Sequence, residues 1–273
     1  MNAFVPRTLE EALRFAGENP LYRILAGGSD LLLELQSKKG CEGVIGLGKI
    51  DSLKSIRIEA NEVSIGAMAT VAEIMEHPQM GVIFPVFKRA CMEFGSRQIR
   101  NVATVGGNIA HASPAADLVP VLLALGARIG IESAQTQRHC SVDELILSPG
   151  HTALEAGEII TSISIPSQEW NTHYYRKIGR RSALNISVAS LVALGSKKRD
   201  EGWEVRLCGA SLAPSPRRMK GVEALFAEGI PEREDILDAL KRDIDPHSGL
   251  RGSAEYRLAV TANMIEEFAD ALD

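Results

Sequence analysis

The segment YRILAGGSDLLLELQSKKG, residues 22–40, places a short apolar run, a glycine pair and a helix-like run one after another. YRILAG is typical of a strand, GGSD of a turn and LLLELQSKKG of a helix, with Ser29 and Asp30 as candidate caps. The segment therefore predicts a β-turn-α unit with Gly27 and Gly28 at the joint. Glycine permits positive φ there and lets ligand atoms approach the main chain, because it has no Cβ.

A second glycine pair lies in ATVGGN, residues 103–108, which we expect to form another loop. Backbone N–H groups in such loops bind anions, and Asn108 adds an amide that donates and accepts. Neither pair fits G-x-x-x-x-G-K-[ST] or G-x-G-x-x-G, so a P-loop and an ordinary Rossmann fingerprint are disfavoured. Each pair alone is compatible with an ordinary tight turn. Together they suit a long ligand with a diphosphate between hydrogen-bonding ends.

Several polar residues flank the second pair. Asp117 precedes the apolar run LVPVLLALGA, where it is a candidate N-cap, a fixed acceptor for a ligand hydroxyl or N–H, or both. His111 has no partner in the sequence and is more typical of a loop or core position, so we leave it out of the catalytic set. Arg97 and Arg100 are suited to hold a phosphate or to tie the loop to a carboxylate.

The other segments mix helices with antiparallel strands. Capping boxes at Thr8 and Thr70 predict two helix starts, and SIRIEANEVSIGA predicts a hairpin. EIITSISIP predicts a strand that ends at Pro166. Strand-like runs THYYRKIG, NISVASLVAL and WEVRLCGASLA follow, with GSKKRDEG as a turn, and the remainder is helical apart from DPHSGLRG. The expected fold class is α+β, with a linker at residues 167–171 and a domain boundary near residue 168.

Composition limits the classes of function. A net charge of −5 over 273 residues provides no basic face, so we expect no nucleic-acid partner. No apolar stretch approaches the roughly 20 residues of a membrane helix, and the first 15 residues lack the pattern of a signal peptide, so we expect a cytoplasmic location without membrane contact. The four cysteines are dispersed and predict reduced thiols, mostly in the core, and no metal site.

Five motifs in this order carry a family resemblance: LAGGSDLLLEL, QIRNVATVGGNIAHASPAADLVPVLLALGA, GEIITSISIP, YRKIGRR and LRGSAEYR. Together they resemble the FAD-binding medium subunit of the molybdenum hydroxylases, which include xanthine dehydrogenases and carbon monoxide dehydrogenase. The resemblance implies an FAD-binding domain of the vanillyl-alcohol-oxidase (PCMH) type over 1–168, with subdomains of about 1–54 and 55–168. It also implies a smaller α+β C-terminal domain over 169–273, built of an antiparallel sheet and helices.

The resemblance also implies which residues contact FAD. The first glycine segment contributes Arg23, Ile24, Leu25, Ala26, Gly27, Gly28, Ser29, Asp30 and Leu31, and the second contributes Ala103, Thr104, Val105, Gly106, Gly107 and Asn108. Further matches are Phe94, Asp117, Ile159 or Ile160, and Arg176 or Lys177. Core packing is the alternative for Phe94, and an ordinary buried strand is the alternative for the two isoleucines. A cation at Lys177 would stabilise either the FAD phosphates or the negative charge of reduced flavin. We name no catalytic acid or base and no metal ligand.

Partners follow from the same resemblance. The molybdenum cofactor is expected on a large subunit and two [2Fe–2S] clusters on a small subunit, in a dimer of heterotrimers. This chain would act as an oxidoreductase subunit that takes electrons from those clusters and passes them to NAD+ or another acceptor. Quinone, ferredoxin or oxygen as the acceptor would leave the motifs unchanged. The alternatives are a flavin-free scaffold subunit and a free-standing FAD-dependent reductase.

Overall fold

The computed structural model describes residues 2–37, 41–181, 186–198 and 202–272. Its strands are β1 (Asn2–Phe4), β2 (Tyr22–Leu25), β3 (Gly43–Gly46), β4 (Ile56–Ile58), β5 (Glu62–Gly66), β6 (Arg128–Glu132), β7 (Gln137–Ser141), β8 (Ile146–Ser148), β9 (His151–Thr152), β10 (Ile159–Pro166), β11 (Thr172–Ile178), β12 (Ala189–Lys197), β13 (Trp203–Ala210) and β14 (Arg217–Arg218). Its α-helices are α1 (Leu9–Glu18), α2 (Leu31–Ser37), α3 (Val71–Glu76), α4 (Met80–Ile83), α5 (Pro85–Glu93), α6 (Arg97–Arg100), α7 (Val105–Ala110), α8 (Val119–Ala124), α9 (Val142–Leu145), α10 (Lys220–Leu225), α11 (Arg233–Asp243) and α12 (Ala254–Asp270). The predicted α+β class is confirmed.

The first unit is a small parallel sheet of order β1-β3-β2 with α1 and α2 in its connections. The capping box at Thr8 is present, since its side chain accepts from the Glu11 N–H at 3.2 Å. The Phe4 and Phe15 rings stack 4.0 Å apart, which packs α1 onto the edge of the sheet. The β-turn-α prediction is confirmed for β2 and α2, whereas residues 38–40 of the predicted helix lie outside the described residues.

The second unit is a five-stranded antiparallel sheet of order β4-β5-β10-β6-β7. The predicted hairpin is confirmed, because Ile58 pairs with Val63 in the β4-β5 register. The capping box of Thr70 with Glu73 is also confirmed. Pro85 occupies the first turn of α5, where a backbone N–H has no partner within the helix, so the missing N–H of proline costs no hydrogen bond. Helices α3, α4, α5, α7 and α8 contribute buried side chains to the core of this unit, α6 has none, and α8 is buried along its whole length.

The C-terminal unit is an antiparallel sheet of order β11-β12-β13-β14, covered by α10, α11 and α12. The three predicted strands are confirmed as β11, β12 and β13, although β12 begins only at Ala189, and the helical remainder is interrupted by the short strand β14, which the sequence reasoning missed. The predicted strand start at Asn185 and part of the predicted turn, residues 199–201, lie outside the described residues. Strand β12 continues to Lys197, into the segment predicted as a turn.

The segment predicted as a linker is packed rather than extended in solvent. Trp170 is buried, and the Asn171 N–H donates to Gly195 O at 3.0 Å. The Arg206 guanidinium lies 5.0 Å from the centroid of the Trp170 ring, and its Nη1 donates to Ala124 O at 3.0 Å. These contacts join the C-terminal sheet to the five-stranded unit. The boundary near residue 168 and the subdomain limits stay predictions.

The burial of the four cysteines and the length of the apolar helices can be compared with what the sequence predicted. Cys91, Cys140 and Cys208 are buried and Cys41 is half-buried, so the prediction that the cysteines lie mostly in the core is confirmed. Within the described ranges, no helix is both long enough and apolar enough to cross a membrane.

Candidate functional site

A cleft opens where the parallel sheet meets the five-stranded sheet, just beyond the C-terminal end of β2. Its open space is about 920 Å³, including the part continuous with solvent. Ligands of parallel sheets bind beyond the carboxyl ends of the strands. The position of the cleft therefore suits a bound ligand.

Most of the residues singled out in the sequence line this cleft. They are Arg23, Ile24, Ala26, Gly27, Gly28, Ser29, Asp30, Leu31, Phe94, Ala103, Thr104, Gly106, Gly107, Asn108, Ile159 and Ile160. The lining does not include Leu25, Val105, Asp117, Arg176 or Lys177. It does include residues that the sequence reasoning did not select, namely Glu34, Leu47, Ala67, Met68, Ala110, His111, Leu154 and Glu158.

The first glycine pair forms the predicted turn between β2 and α2. Gly28 has φ +74°, a conformation that favours glycine. Gly27 serves a different purpose, because a Cβ at this position would lie 1.8 Å from Val102 O. The two glycine segments therefore touch each other directly, and the missing side chain of Gly27 makes room for protein backbone.

The second glycine pair lies in a helix, so the expectation of a second loop was wrong. Thr104 caps α7, and its side-chain oxygen accepts from the Gly107 N–H at 3.1 Å. A Cβ on Gly106 would lie 2.7 Å from both Cβ and O of Ala67, so this glycine allows α7 to pack against the turn after β5. The sequence reasoning missed this helix because two glycines in six residues lower its helix propensity. Tertiary packing, which the sequence pattern does not show, stabilises α7.

Charged groups gather at one end of the cleft. His111 Nδ1 lies 3.6 Å from Glu34 Oε1, and His111 Nε2 lies 3.8 Å from Asp30 Oδ1. Arg23 Nη2 lies 3.6 Å from Glu34 Oε2. Glu34 on α2 follows Asp30, the residue just before this helix, by four residues, a spacing that could have indicated it from the sequence. This end of the cleft presents the carboxylates of Asp30 and Glu34, the imidazole of His111 and the guanidinium of Arg23.

Asp117 does not cap the following helix, so that interpretation was wrong. Helix α8 begins at Val119 after Leu118, which makes no side-chain cap. Asp117 Oδ2 instead lies 2.7 Å from Lys177 Nζ in a pair whose side chains are 11% and 5% exposed. Burial raises the pKa of Asp117, and the charge of Lys177 opposes that rise. The pair joins β11 to the segment before α8 and lies outside the lining of the cleft.

Lys177, Arg176 and Arg100 each contact other parts of the protein chain. Lys177 Nζ lies 3.3 Å from Glu93 O, beside Phe94. Arg176 forms an ion pair with Glu267 on α12. Arg100 Nη1 donates to the carbonyl oxygens of Phe94 at 2.9 Å and Gly95 at 3.2 Å. Arg100 thus ties the chain together through carbonyl groups rather than through a carboxylate.

Beside the two glycine segments, the start of β10 forms the third wall of the cleft. The β10-β6 register shifts between Ile160 and Ser162, which leaves Thr161 as the extra residue of a β-bulge. Thr161 Oγ1 donates to Glu132 Oε1 at 2.9 Å and anchors the bulge. Successive residues of a regular strand face opposite sides, and a bulge changes that direction. Ile159 and Ile160 precede the bulge, pair in regular register with Glu132 and Ile131, and pack into different core clusters, so the two side chains face opposite sides of the strand.

Comparison with known proteins assigns the family. The model for the FAD binding domain in molybdopterin dehydrogenase matches residues 1–168. The chain belongs to this family. Residues 173–272 match the CO dehydrogenase flavoprotein C-terminal domain. The chain is therefore an FAD-binding medium subunit of the molybdenum hydroxylase family, and the predicted order of an FAD-binding domain and a smaller C-terminal domain is confirmed.

Relatives of this molybdenum hydroxylase subunit have similar lengths. The nicotinate dehydrogenase FAD-subunit of Eubacterium barkeri is 35% identical over 86% of this chain and 82% of its own. The glyceraldehyde dehydrogenase medium chain of Sulfolobus acidocaldarius is 29% identical over 93% of this chain and 91% of its own. A solved carbon monoxide dehydrogenase from Hydrogenophaga pseudoflava superposes with a TM-score of 0.92 at 26% identity, covering 99% of this chain and 96% of that one.

The residues of the cleft fit the FAD that this family binds. Asn108 Oδ1 is buried at the cleft and has no hydrogen-bond partner among the residues described. A buried acceptor without a donor is costly, so this atom is ready to accept from a ligand hydroxyl or N–H. Apolar side chains such as Ile24, Leu31 and Phe94 line other parts of the cleft and suit a planar ring. Throughout the described residues, no group of three or more His, Cys, Asp and Glu side chains is placed to hold a metal ion.

Proposed function

We propose that this chain binds FAD in the cleft between its two glycine segments and serves as the electron-transfer subunit of a heterotrimeric molybdenum hydroxylase. The observation that carries the proposal is the buried Asn108 Oδ1, which has no partner among the described residues and belongs to a residue of the glycine-lined cleft in a chain of the FAD-binding family. Bound FAD would supply the redox chemistry. The residues of the chain bind the cofactor, orient it and limit the access of solvent to it.

Each wall of the cleft has a distinct task in this proposal. Gly28 and the turn before α2 bring main-chain N–H groups to the opening, as an FAD diphosphate requires. Asn108 accepts a hydrogen bond from the cofactor, while Ile159 and Ile160 exclude water from one side. The Asp117–Lys177 pair holds the backbone next to Phe94, because Lys177 Nζ donates to the carbonyl oxygen of Glu93.

The partners and the acceptor are part of the proposal. We assign a molybdenum cofactor to a large subunit and two [2Fe–2S] clusters to a small subunit, in a dimer of heterotrimers. Electrons would pass from those clusters to FAD and then to NAD+. Supporting observations are the Eubacterium barkeri relative, an FAD-subunit of a dehydrogenase, and the superposition, with a TM-score of 0.92, on a carbon monoxide dehydrogenase that lacks the Mo-pyranopterin moiety of its molybdenum cofactor. The cytoplasmic location is proposed from the sequence alone.

An anaerobic reduction experiment tests the acceptor separately from FAD binding. The native complex is purified and its yellow absorbance is followed after addition of NADH, and in a second sample after addition of dithionite. We expect both reagents to bleach the flavin, because a site that reduces NAD+ also accepts electrons from NADH. Bleaching by dithionite alone would contradict NAD+ as the acceptor and leave FAD binding intact. A colourless complex that takes up no FAD would contradict the flavin assignment itself.

A further inference from the structure

A buried carboxylate with three donors lies at the edge of the cleft. The Glu158 side chain is 5% exposed, and its two oxygens accept from Arg138 Nε and Nη2, each at 2.7 Å. The Glu155 N–H also donates to Glu158 Oε2 at 2.8 Å. These donors hold the pKa of Glu158 below its ordinary value. A bidentate guanidinium pair fixes both distance and orientation, which a single point charge does not.

Arg138 also contacts residue 153, at the other end of the turn formed by residues 153–158. Arg138 Nη2 donates to Ala153 O at 2.8 Å, and the Glu158 N–H donates to Glu155 O at 3.1 Å. Arg138 therefore holds both ends of the segment 153–158. Gly157, with φ +82°, packs this turn against α1, since a Cβ there would lie 3.0 Å from Gly17 Cα.

This turn leads directly into the third wall of the cleft. Leu154, Glu158, Ile159 and Ile160 line the cleft, whereas Arg138 lies on the edge strand β7 and does not line it. The bulge at Thr161 fixes the far end of the wall through Glu132, so its near end depends on the Glu158 contacts. A displacement of about 1 Å in a wall of a binding site is enough to reduce its fit to a ligand.

We propose that Arg138 is a positioning residue for the cofactor site: through Glu158 it sets the placement of the wall formed by residues 154 and 158–160. The inference rests on the proposed binding of FAD in this cleft. Arg138 does not itself line the cleft, so its effect on the cofactor is transmitted through the Glu158 carboxylate and the Ala153 carbonyl.

The test compares Arg138→Gln, Arg138→Lys and the exchanged pair Arg138→Glu/Glu158→Arg with the wild-type full chain. The matched control is Arg57→Gln, an exposed arginine on β4 of the same sheet. For each protein we measure the Kd for FAD, the visible circular dichroism of the flavin at saturating FAD, and the melting temperature of the FAD-free chain. We expect R138Q to raise the Kd about tenfold and to change the flavin dichroism, and R138K to give a smaller effect.

The outcomes separate the two proposals. Partial recovery of the Kd in the exchanged pair, with an unchanged control, supports positioning through this pair. An R138K or R138Q chain with wild-type Kd and wild-type flavin dichroism overturns the inference, whatever its melting temperature. If R138Q does not fold, R138K decides by the same criteria, since it keeps the charge. A folded wild-type chain that binds no FAD instead overturns the proposed function of the cleft.

Discussion

Gly27 and Val102 meet backbone to backbone: a Cβ on Gly27 would lie 1.8 Å from the Val102 carbonyl oxygen and 2.6 Å from its carbonyl carbon. The contact joins the turn after β2 to the segment before α7. Because neither atom belongs to a flexible side chain, the two segments would have to separate to admit even a methyl group. The shape of the cleft therefore depends on a contact that is not itself with a ligand.

We predict that Gly27→Ala destabilises the FAD-free chain by about 1–3 kcal/mol, because the added methyl group overpacks a backbone contact. It should also weaken FAD binding, since the two segments that line the cleft move apart. Urea unfolding and FAD titration measure the two effects. The control is Gly48→Ala, where an added Cβ has no neighbour within 4 Å. Equal stability of G27A and wild type would contradict the packing role.

The role of Gly27 shows how far the sequence reasoning reached. The pattern of strand, glycine pair and helix predicted the turn, because φ preferences and capping are local properties. The partner of Gly27 is Val102, which is distant in the sequence, and local patterns carry no information about such a contact. The sequence therefore predicted where glycine was needed, but assigned the space to a ligand instead of to the backbone of Val102.

Asn108→Leu should separate binding from stability. Its Oδ1 is buried without a partner in the described structure, so removing it relieves a desolvation cost of about 1–3 kcal/mol in the FAD-free chain. We expect stability that is unchanged or higher and a Kd for FAD raised about tenfold, equivalent to about 1.4 kcal/mol. Fluorescence titration and thermal unfolding measure both quantities. The control is Asn101→Ala, at an exposed position after α6. Unchanged affinity in N108L would show that FAD makes no use of this amide.

Lys177→Met should be strongly destabilising. It leaves the Asp117 carboxylate buried without its cation, and breaking a buried pair in this way costs about 3–5 kcal/mol. The pKa of Asp117, already raised by burial, rises further in this variant, so its stability deficit shrinks as the pH falls. Urea unfolding across a pH series measures this. The double variant Lys177→Met/Asp117→Leu should recover part of the loss, and a single variant as stable as wild type would refute the account.

The contribution of Glu158 to stability should depend on pH. Its folded-state pKa is lowered from 4.5, first by Arg138, so the unfolded chain binds more protons between the two pKa values. The stabilisation is therefore fully present above about pH 4.5 and is lost as the pH falls through the folded-state value. Thermal unfolding of wild type and Glu158→Gln from about pH 6 to about pH 3 should show a difference that disappears toward acid. Glu59→Gln, in the exposed turn of the β4-β5 hairpin, is the control. A difference independent of pH would contradict the pairing.

The partner of Lys177 and the residues of the third wall could not be predicted from the sequence. The motif around Lys177 indicated a functional position, yet the structure uses Lys177 to balance Asp117, sixty residues away in the chain. Leu154 and Glu158 reach the cleft because the turn before β10 packs against α1, a tertiary arrangement without a local signal. His111 was noticed in the sequence but set aside, because its neighbours Asp30 and Glu34 come from a distant segment at the start of α2.

The most direct test of the central claim is the amount of FAD retained by the full chain when the cleft is filled. Ala110 is exposed at the end of α7 and lines the cleft, so Ala110→Trp occupies the space without disturbing the core. Ala134→Trp, in the exposed turn between β6 and β7, is the matched control. Wild type and A134W should retain stoichiometric FAD after gel filtration, whereas A110W, folded with a similar melting temperature, should retain little. Full retention of FAD by folded A110W would contradict the assignment of this cleft as the cofactor site.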